Sequence, residues 1–275
     1  MANTAAATDV HAPTKEPPLL CDDDGSVRTL TLNRPEKYNA LSATLIGELL
    51  AAFEAAAHDR SVHVIVLGAV GKAFSAGHDL SEVAQAGRSE NATDCEAIFK
   101  ETAGLMTAII HQPQPVIARV QGISTAAGCQ LVASCDLGVA STGARFATSG
   151  INAGLFCMTP GVALSRNVAT KHAFEMLTTG EFISAERATE IGLINRVVRP
   201  ESLNAETAAL AETIAGKSSP AIKAGKSFFY KQLGLPLDEA YALSARETAR
   251  NMTFRDAQEG IDAFLNKRKP VWRHE

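Results

Sequence analysis

The sequence predicts an α/β protein: a mixed core in which strands and helices alternate, followed by a wholly helical last quarter. Three stretches carry that expectation. Val62 to Leu67 is a nearly continuous β-branched run of the kind found in a parallel strand buried on both faces. Val116 to Asp136 reads as a strand, a tight small-residue turn around Gly122 and Ala126-Ala127-Gly128, and then a helix. From Pro200 onward every segment has helical spacing, with breaks at Pro220 and Pro236.

In chain order, residues 1–18 mix Ala and Thr with Asp9, Glu16 and three prolines, and are expected to form a flexible tail without a targeting pattern. Two strand-like runs from Leu19 to Leu32 flank the turn signal Asp22-Asp23-Asp24-Gly25, which predicts a hairpin with Val27, Leu30 and Leu32 in the core. Ser42 is placed to cap a helix whose Leu45, Leu49, Phe53 and Ala56 share one face. His63, inside the β-branched run, reads as a satisfied core or edge histidine. Gly68 to Leu80 is a glycine-rich loop, but Ala73 stands where a phosphate loop needs Ser or Thr, and no GxGxxG occurs. Nucleotide loops are therefore rejected. A helix starting at Thr93 or Asp94 shows Ile98, Thr102, Leu105 and Ile109 on one side and stops at Gln112-Pro113-Gln114-Pro115. Strand-like Leu137 to Ala140 and Arg145 to Ala147 follow. Thr159-Pro160-Gly161 opens a short helix, Ile183 to Gly192 reads as a capped helix ending at glycine, and Leu193 to Val198 as a strand. Helices are expected near 201–217, 220–233, 237–252 and 255–267. The domain scheme is a tail over 1–18, a core over 19–200 and a helical region over 201–275.

Composition narrows the function classes. The formal net charge is −4, so no global basic field points to nucleic acid. No apolar run approaches the ~20 residues of a membrane helix. Cys21, Cys95, Cys129, Cys135 and Cys157 are odd in number and lack metal spacing, which fits a reducing, cytoplasmic compartment. The helix start at Ala126-Ala127-Gly128 presents unpaired N–H groups suited to negative charge that sits or develops, although small residues there also serve close packing.

Leu32 to Ser42, Gly71 to Leu80, Val116 to Asp136 and Gln258 to Pro270 together resemble the crotonase (enoyl-CoA hydratase/isomerase) superfamily over roughly residues 19 to 270. Phe74 to Leu80, Ala126 to Asp136, Gly154 to Cys157 and Lys267 to Trp272 are similar to its mitochondrial enoyl-CoA-hydratase-domain-containing members and their bacterial relatives. The resemblance implies a spiral of ββα turns with a C-terminal helical trimerisation region, assembled as trimers or pairs of trimers. It implies an acyl-CoA thioester as ligand and no cofactor, coenzyme A being part of the substrate. By the same resemblance the backbone N–H groups of His78 and Ala127 form an oxyanion hole. The segment Glu36-Lys37-Tyr38-Asn39-Ala40, with Ala76 and Leu80, lines the coenzyme A entrance, and Phe264 and Lys267 reach a neighbour's nucleotide part.

Hydratases of this superfamily use two glutamates, whose positions fall here on Gln130 and Gly150. A neutral amide orients water but takes no proton near pH 7, and general acid–base catalysis is typically worth about 10²–10⁴. Hydratase turnover is therefore expected to be weak or absent. Three readings stay open: an enzyme whose acid or base comes from His78, Asp79, Glu82 or Cys129; an acyl-CoA-binding or regulatory protein; and a structural oligomer. A Ser75/His78/Asp79 triad is the weakest option, since adjacency in sequence does not make triad geometry.

Overall fold

In the computed structural model, residues 16–88 and 92–275 are described; the tail expected over 1–18 lies mostly outside them. The hairpin forms as β1 (Leu19–Asp24) and β2 (Val27–Leu32). Its turn sits later than the aspartates suggest, because Asp22 to Asp24 pair with Thr29 to Val27 and Gly25 takes the bend at φ +58°. After α1 (Ala43–His58), where Ser42 Oγ accepts from the Leu45 N–H as a cap, each unit places two strands end to end and then a helix. These are β3 (Val64–Ala69) and β4 (Ala73–Ser75) with α2 (Leu80–Gly87) and α3 (Ala92–His111). Then come β5 (Val116–Val120) and β6 (Ile123–Thr125) with α4 (Ala127–Ser134), and β7 (Leu137–Ser141) and β8 (Arg145–Ala147) with α5 (Met158–Asn167) and α6 (Thr170–Thr179).

The first strand of each unit joins a six-stranded sheet in the order β1-β2-β3-β5-β7-β10, where β10 spans Arg196–Val198 and all pairs but β1–β2 are parallel. The second strands form a smaller sheet, β4-β6-β8-β9, with β9 (Ile183–Ser184) antiparallel to β8. A parallel pair needs a crossover connection, and repeating it in one sense winds the chain into a ββα spiral. Short α7 (Ala185–Glu190) is capped by Ser184 and stops at Gly192, as the sequence predicts.

Leu30, Leu67, Val116 and Ala118 face Leu45, Phe53 and Leu105 in the main core. On the other side of the sheet Val64, Val66, Ile117 and Val139 pack on Leu203 and Ala211 of α8 (Leu203–Ala215). The first of the C-terminal helices thus belongs to the core by its packing. α9 (Ser219–Gln232), α10 (Leu237–Met252) and α11 (Arg255–Leu265) follow.

A buried polar knot ties α9 to this core. Lys226 Nζ donates to Asp136 Oδ2 (2.6 Å), to the Ile109 carbonyl (3.0 Å) and to the Gln114 carbonyl (3.1 Å). Tyr230 OH donates to Asp136 Oδ1 (2.8 Å) and the Val116 N–H to Asp136 Oδ2 (2.6 Å). The Lys226 and Asp136 side chains are only 7% and 14% exposed. Replacing Lys226 by Met leaves a carboxylate and two carbonyls short of a donor, and should lower the unfolding free energy by about 3 kcal/mol in urea titration. An unchanged midpoint would show that the knot is dispensable.

Candidate active site at the meeting of two strand ends

The site forms where β4 and β6 end beside each other. Gly128, in the first turn of α4, lies so close to β4 that a Cβ there would stand 2.2 Å from the Ser75 carbonyl oxygen. Gly77 has φ +91°, and a Cβ on it would come within 3.1 Å of the Ala127 nitrogen. These approaches hold the 76–79 loop against the N-terminus of α4. The neighbouring segment is held by a parallel bridge between Leu41 and His78: Leu41 N–H donates to Gly77 O (2.7 Å) and Asp79 N–H to Leu41 O (3.1 Å).

Among the described residues, neither the His78 N–H nor the Ala127 N–H donates to a protein acceptor. The Ala127 N–H is one of the orphan donors of a helix start. The residue before it, Ala126, is held at φ 51°, ψ −123°, with its own N–H on the Ala147 carbonyl (3.0 Å). For a residue with a Cβ such a conformation costs on the order of 1–3 kcal/mol.

Gln130 is three residues beyond Ala127, on the same helix face, and helical side chains lean toward the N-terminus. Its carboxamide therefore reaches back toward the opening of α4. The side chain is 3% exposed, and its Oε1 is buried without a partner. Gly150, in the 3₁₀ turn Ser149–Ala153, has no space for a side chain, since a Cβ would sit 2.7 Å from both Cys157 Sγ and the Leu155 carbonyl.

The proposed acid–base candidates separate. His78 Nε2 lies 2.9 Å from Thr102 Oγ1, and that hydroxyl donates to the Ile98 carbonyl (3.1 Å). Nε2 therefore carries the ring proton and Nδ1 is left as an acceptor. The ring stands edge-on to Phe99, and burial holds its pKa below 6.5. Asp79 caps α2 through Ser81 and pairs with Arg34 (3.1 Å), which together hold its carboxyl below the usual range. Glu82 accepts from the Ala43 N–H (2.9 Å) at the start of α1. Cys129 is fully buried and its thiol is pushed up to about 12, so it offers no thiolate near neutrality. Ser75 Oγ donates to the Asn39 carbonyl (2.9 Å) and accepts from the Gly77 N–H (3.2 Å), and no Ser75/His78/Asp79 relay forms.

Of the positions assigned to the coenzyme A entrance, Tyr38, Ala40 and Ala76 come together. The Ala76 N–H donates to Tyr38 O (3.0 Å) and the Ala40 N–H to Lys37 O (3.0 Å), with Leu80 exposed at the start of α2. Phe264, 82% exposed, and Lys267 lie at the end of α11, and no hydrogen bond or ion pair among the described residues joins them to the others. Sequence reasoning placed Asn39 in the entrance segment but missed its structural role. It is buried at φ 52°, accepts from the Arg34 N–H (2.8 Å), and donates to the Val70 and Ala73 carbonyls (both 2.8 Å). The tolerance of Asn for positive φ was the available signal. Among the described residues, no group of three His, Cys, Asp or Glu side chains is arranged to hold a metal ion.

Comparison with known proteins agrees with this fold. The sequence profile of the enoyl-CoA hydratase/isomerase family matches residues 22–275. The mitochondrial enoyl-CoA hydratase domain-containing protein 3 of Homo sapiens is 47% identical over 250 residues, covering 90% of this chain and 81% of its own. A crystal structure of a Mycobacterium smegmatis enoyl-CoA hydratase superposes with a TM-score of 0.90 at 52% identity, covering 94% of this chain and 99% of that one. That of the human domain-containing protein 3 gives 0.89 at 46% identity, over 93% and 100%. Agreement in sequence and in shape over nearly the whole length shows that the chain belongs to the enoyl-CoA hydratase/isomerase family of the crotonase superfamily.

Proposed function

We propose that this protein binds an acyl-CoA thioester and polarises its carbonyl between the His78 and Ala127 N–H groups, with little classical hydratase turnover. The observation that carries this reading is the pair of unpartnered N–H groups held side by side by Gly77 and Gly128. Two such donors stabilise the negative charge that grows on a thioester oxygen when a base takes a proton from the α-carbon, each worth about 10²–10³ in rate for acyl chemistry. Backbone groups do this whatever the side chain, so alanine at 127 keeps the function.

What the reading subtracts is the proton traffic of hydration. At Gln130 an amide occupies the place carried over from the family's first glutamate, and it has no proton to exchange near neutrality. At Gly150 the backbone has closed on Cys157 and Leu155, so a carboxylate cannot be put back without moving them. His78, with Nδ1 free, is the titratable group beside the donors that could take a proton. The names of the similar proteins, enoyl-CoA hydratases and hydratase-domain proteins, support the coenzyme A ester as ligand. Exposed Phe229, Leu233, Leu237 and Tyr241 on and between α9 and α10 support assembly into trimers or pairs of trimers.

Crotonyl-CoA and butyryl-CoA should each raise the melting temperature while no hydrated product accumulates; turnover like that of a two-glutamate hydratase would refute the reading. Gly77→Ala should abolish the thermal response, because its methyl, 3.1 Å from the Ala127 nitrogen at a φ of +91°, pushes the loop away from the start of α4. Gly150→Glu should lower stability by about 1–3 kcal/mol through overpacking and should not create hydratase activity. Burial depresses the pKa of His78, so the stability it contributes is present above pH 6.5 and is lost as pH falls through its folded pKa. The urea midpoint of the wild type should consequently drop more between pH 7 and pH 5 than that of His78→Gln, and parallel curves would remove His78 from that role.

A further inference from the structure

The six-stranded sheet has a second face that the candidate site does not use. Asp22 and Asp24 of β1 lie opposite Thr29 and Val27 of β2, on the side of the sheet where Val27 and Val66 pack beneath α8. α8 covers the middle of this side and leaves the end formed by the hairpin open. Between helix and hairpin runs a groove of about 580 Å³, bounded by Asp22, Asp24, Thr29, Arg119, Asn204 and Glu212 among others.

Arg119 is out of keeping with its strand. Its neighbour Ile117 points into the apolar layer under α8, whereas Arg119 lays a guanidinium across Gly68 of β3, so close that a Cβ at 68 would be 2.6 Å from Nη2. Among the described residues this guanidinium makes no hydrogen bond and no ion pair, and its burial pushes its pKa down with no carboxylate acting against that. A half-buried cation without a partner is costly, and an arginine fork suits a carboxylate in bidentate fashion.

The groove's other charges have the opposite sign. Asp22, Asp24 and Glu212 line it, and none has a side-chain hydrogen bond or an ion pair among the described residues. They repel a bare anion that approaches Arg119 and attract an ammonium group. β1 is three strand spacings from β5, about 14 Å, and the Arg119 side chain crosses only part of that distance. The two charges of a matching ligand must therefore be several bonds apart. We infer that this groove binds a small zwitterion, its carboxylate on Arg119 and its ammonium at the acidic rim, with Thr29 and Asn204 beside the chain between them.

The probe is 6-aminohexanoate, with hexanoate and hexylamine as its two halves, all at one ionic strength. At about tenfold over its dissociation constant, 6-aminohexanoate should raise the melting temperature saturably by roughly 2–4 °C, and neither half alone should match it. Arg119→Met should lose the response. Gly68→Ala keeps the cation but forces it aside, and should weaken the response; Glu212→Gln should weaken it as well. An equal response to hexanoate, a response that survives Arg119→Met, or no response in the wild type would overturn the inference. Circular dichroism and a single cooperative melting transition without ligand establish that each variant folds.

Discussion

The candidate site depends on two backbones touching with no side chain between them. At Gly128 the helix α4 starts against the end of β4, and at Gly77 the following loop lies against the Ala127 nitrogen. A methyl at either position would force the two chains apart. Because the strands belong to one small sheet, the approach is set by strand pairing at Ser75 and Ser124 and by the Leu41–His78 bridge, not by any side chain of the site. That explains why the donors are backbone groups: the fold supplies them as a by-product of packing β4 on α4, and the strain at Ala126 is the cost of turning the helix axis toward the opening.

Around this rigid pair the two positions carried over by resemblance differ in kind. Gln130 has the size and reach of a glutamate without its charge, and its Oε1 is buried without a partner. Gly150 has no room for a side chain, since Cys157 Sγ and the Leu155 carbonyl stand 2.7 Å from where a Cβ would go. Asp79 and Glu82, acidic and near the site in sequence, are committed to helix starts and to Arg34.

Much of the fold was legible because the signals were local. Ser42 before a periodic apolar run marked α1, Val62 to Leu67 marked a strand buried on both faces, and the C-terminal helices fall within a few residues of their expected ends. Two of the three-residue strands, β4 and β6, were not legible, although the equally short β8 was: they have too few residues for any period, and they pair Ala73 with Ile123 and Ser75 with Ser124, far apart in the chain. The same blindness hid the structural role of Asn39, whose amide donates to two carbonyls of the 70–73 segment, and the Lys226–Asp136 pair, ninety residues apart. Helix α2 escaped because its cap Asp79 and first residue Leu80 lie in what reads as a glycine-rich loop. The motif singles out His78 and Ala127 as candidate donors, but the side-chain path of His78 toward Thr102 could only come from the packing of α3.

The knot at Asp136 has one further bearing on the site. Helix α4 is eight residues long, about 12 Å, with the Ala127 N–H at one end and Asp136 just past the other. One short rod therefore joins the unpartnered Ala127 N–H to the anchor point of α9. Mechanically, that donor has its footing in the C-terminal helices, so its aim is referenced to them as much as to the sheet beside it.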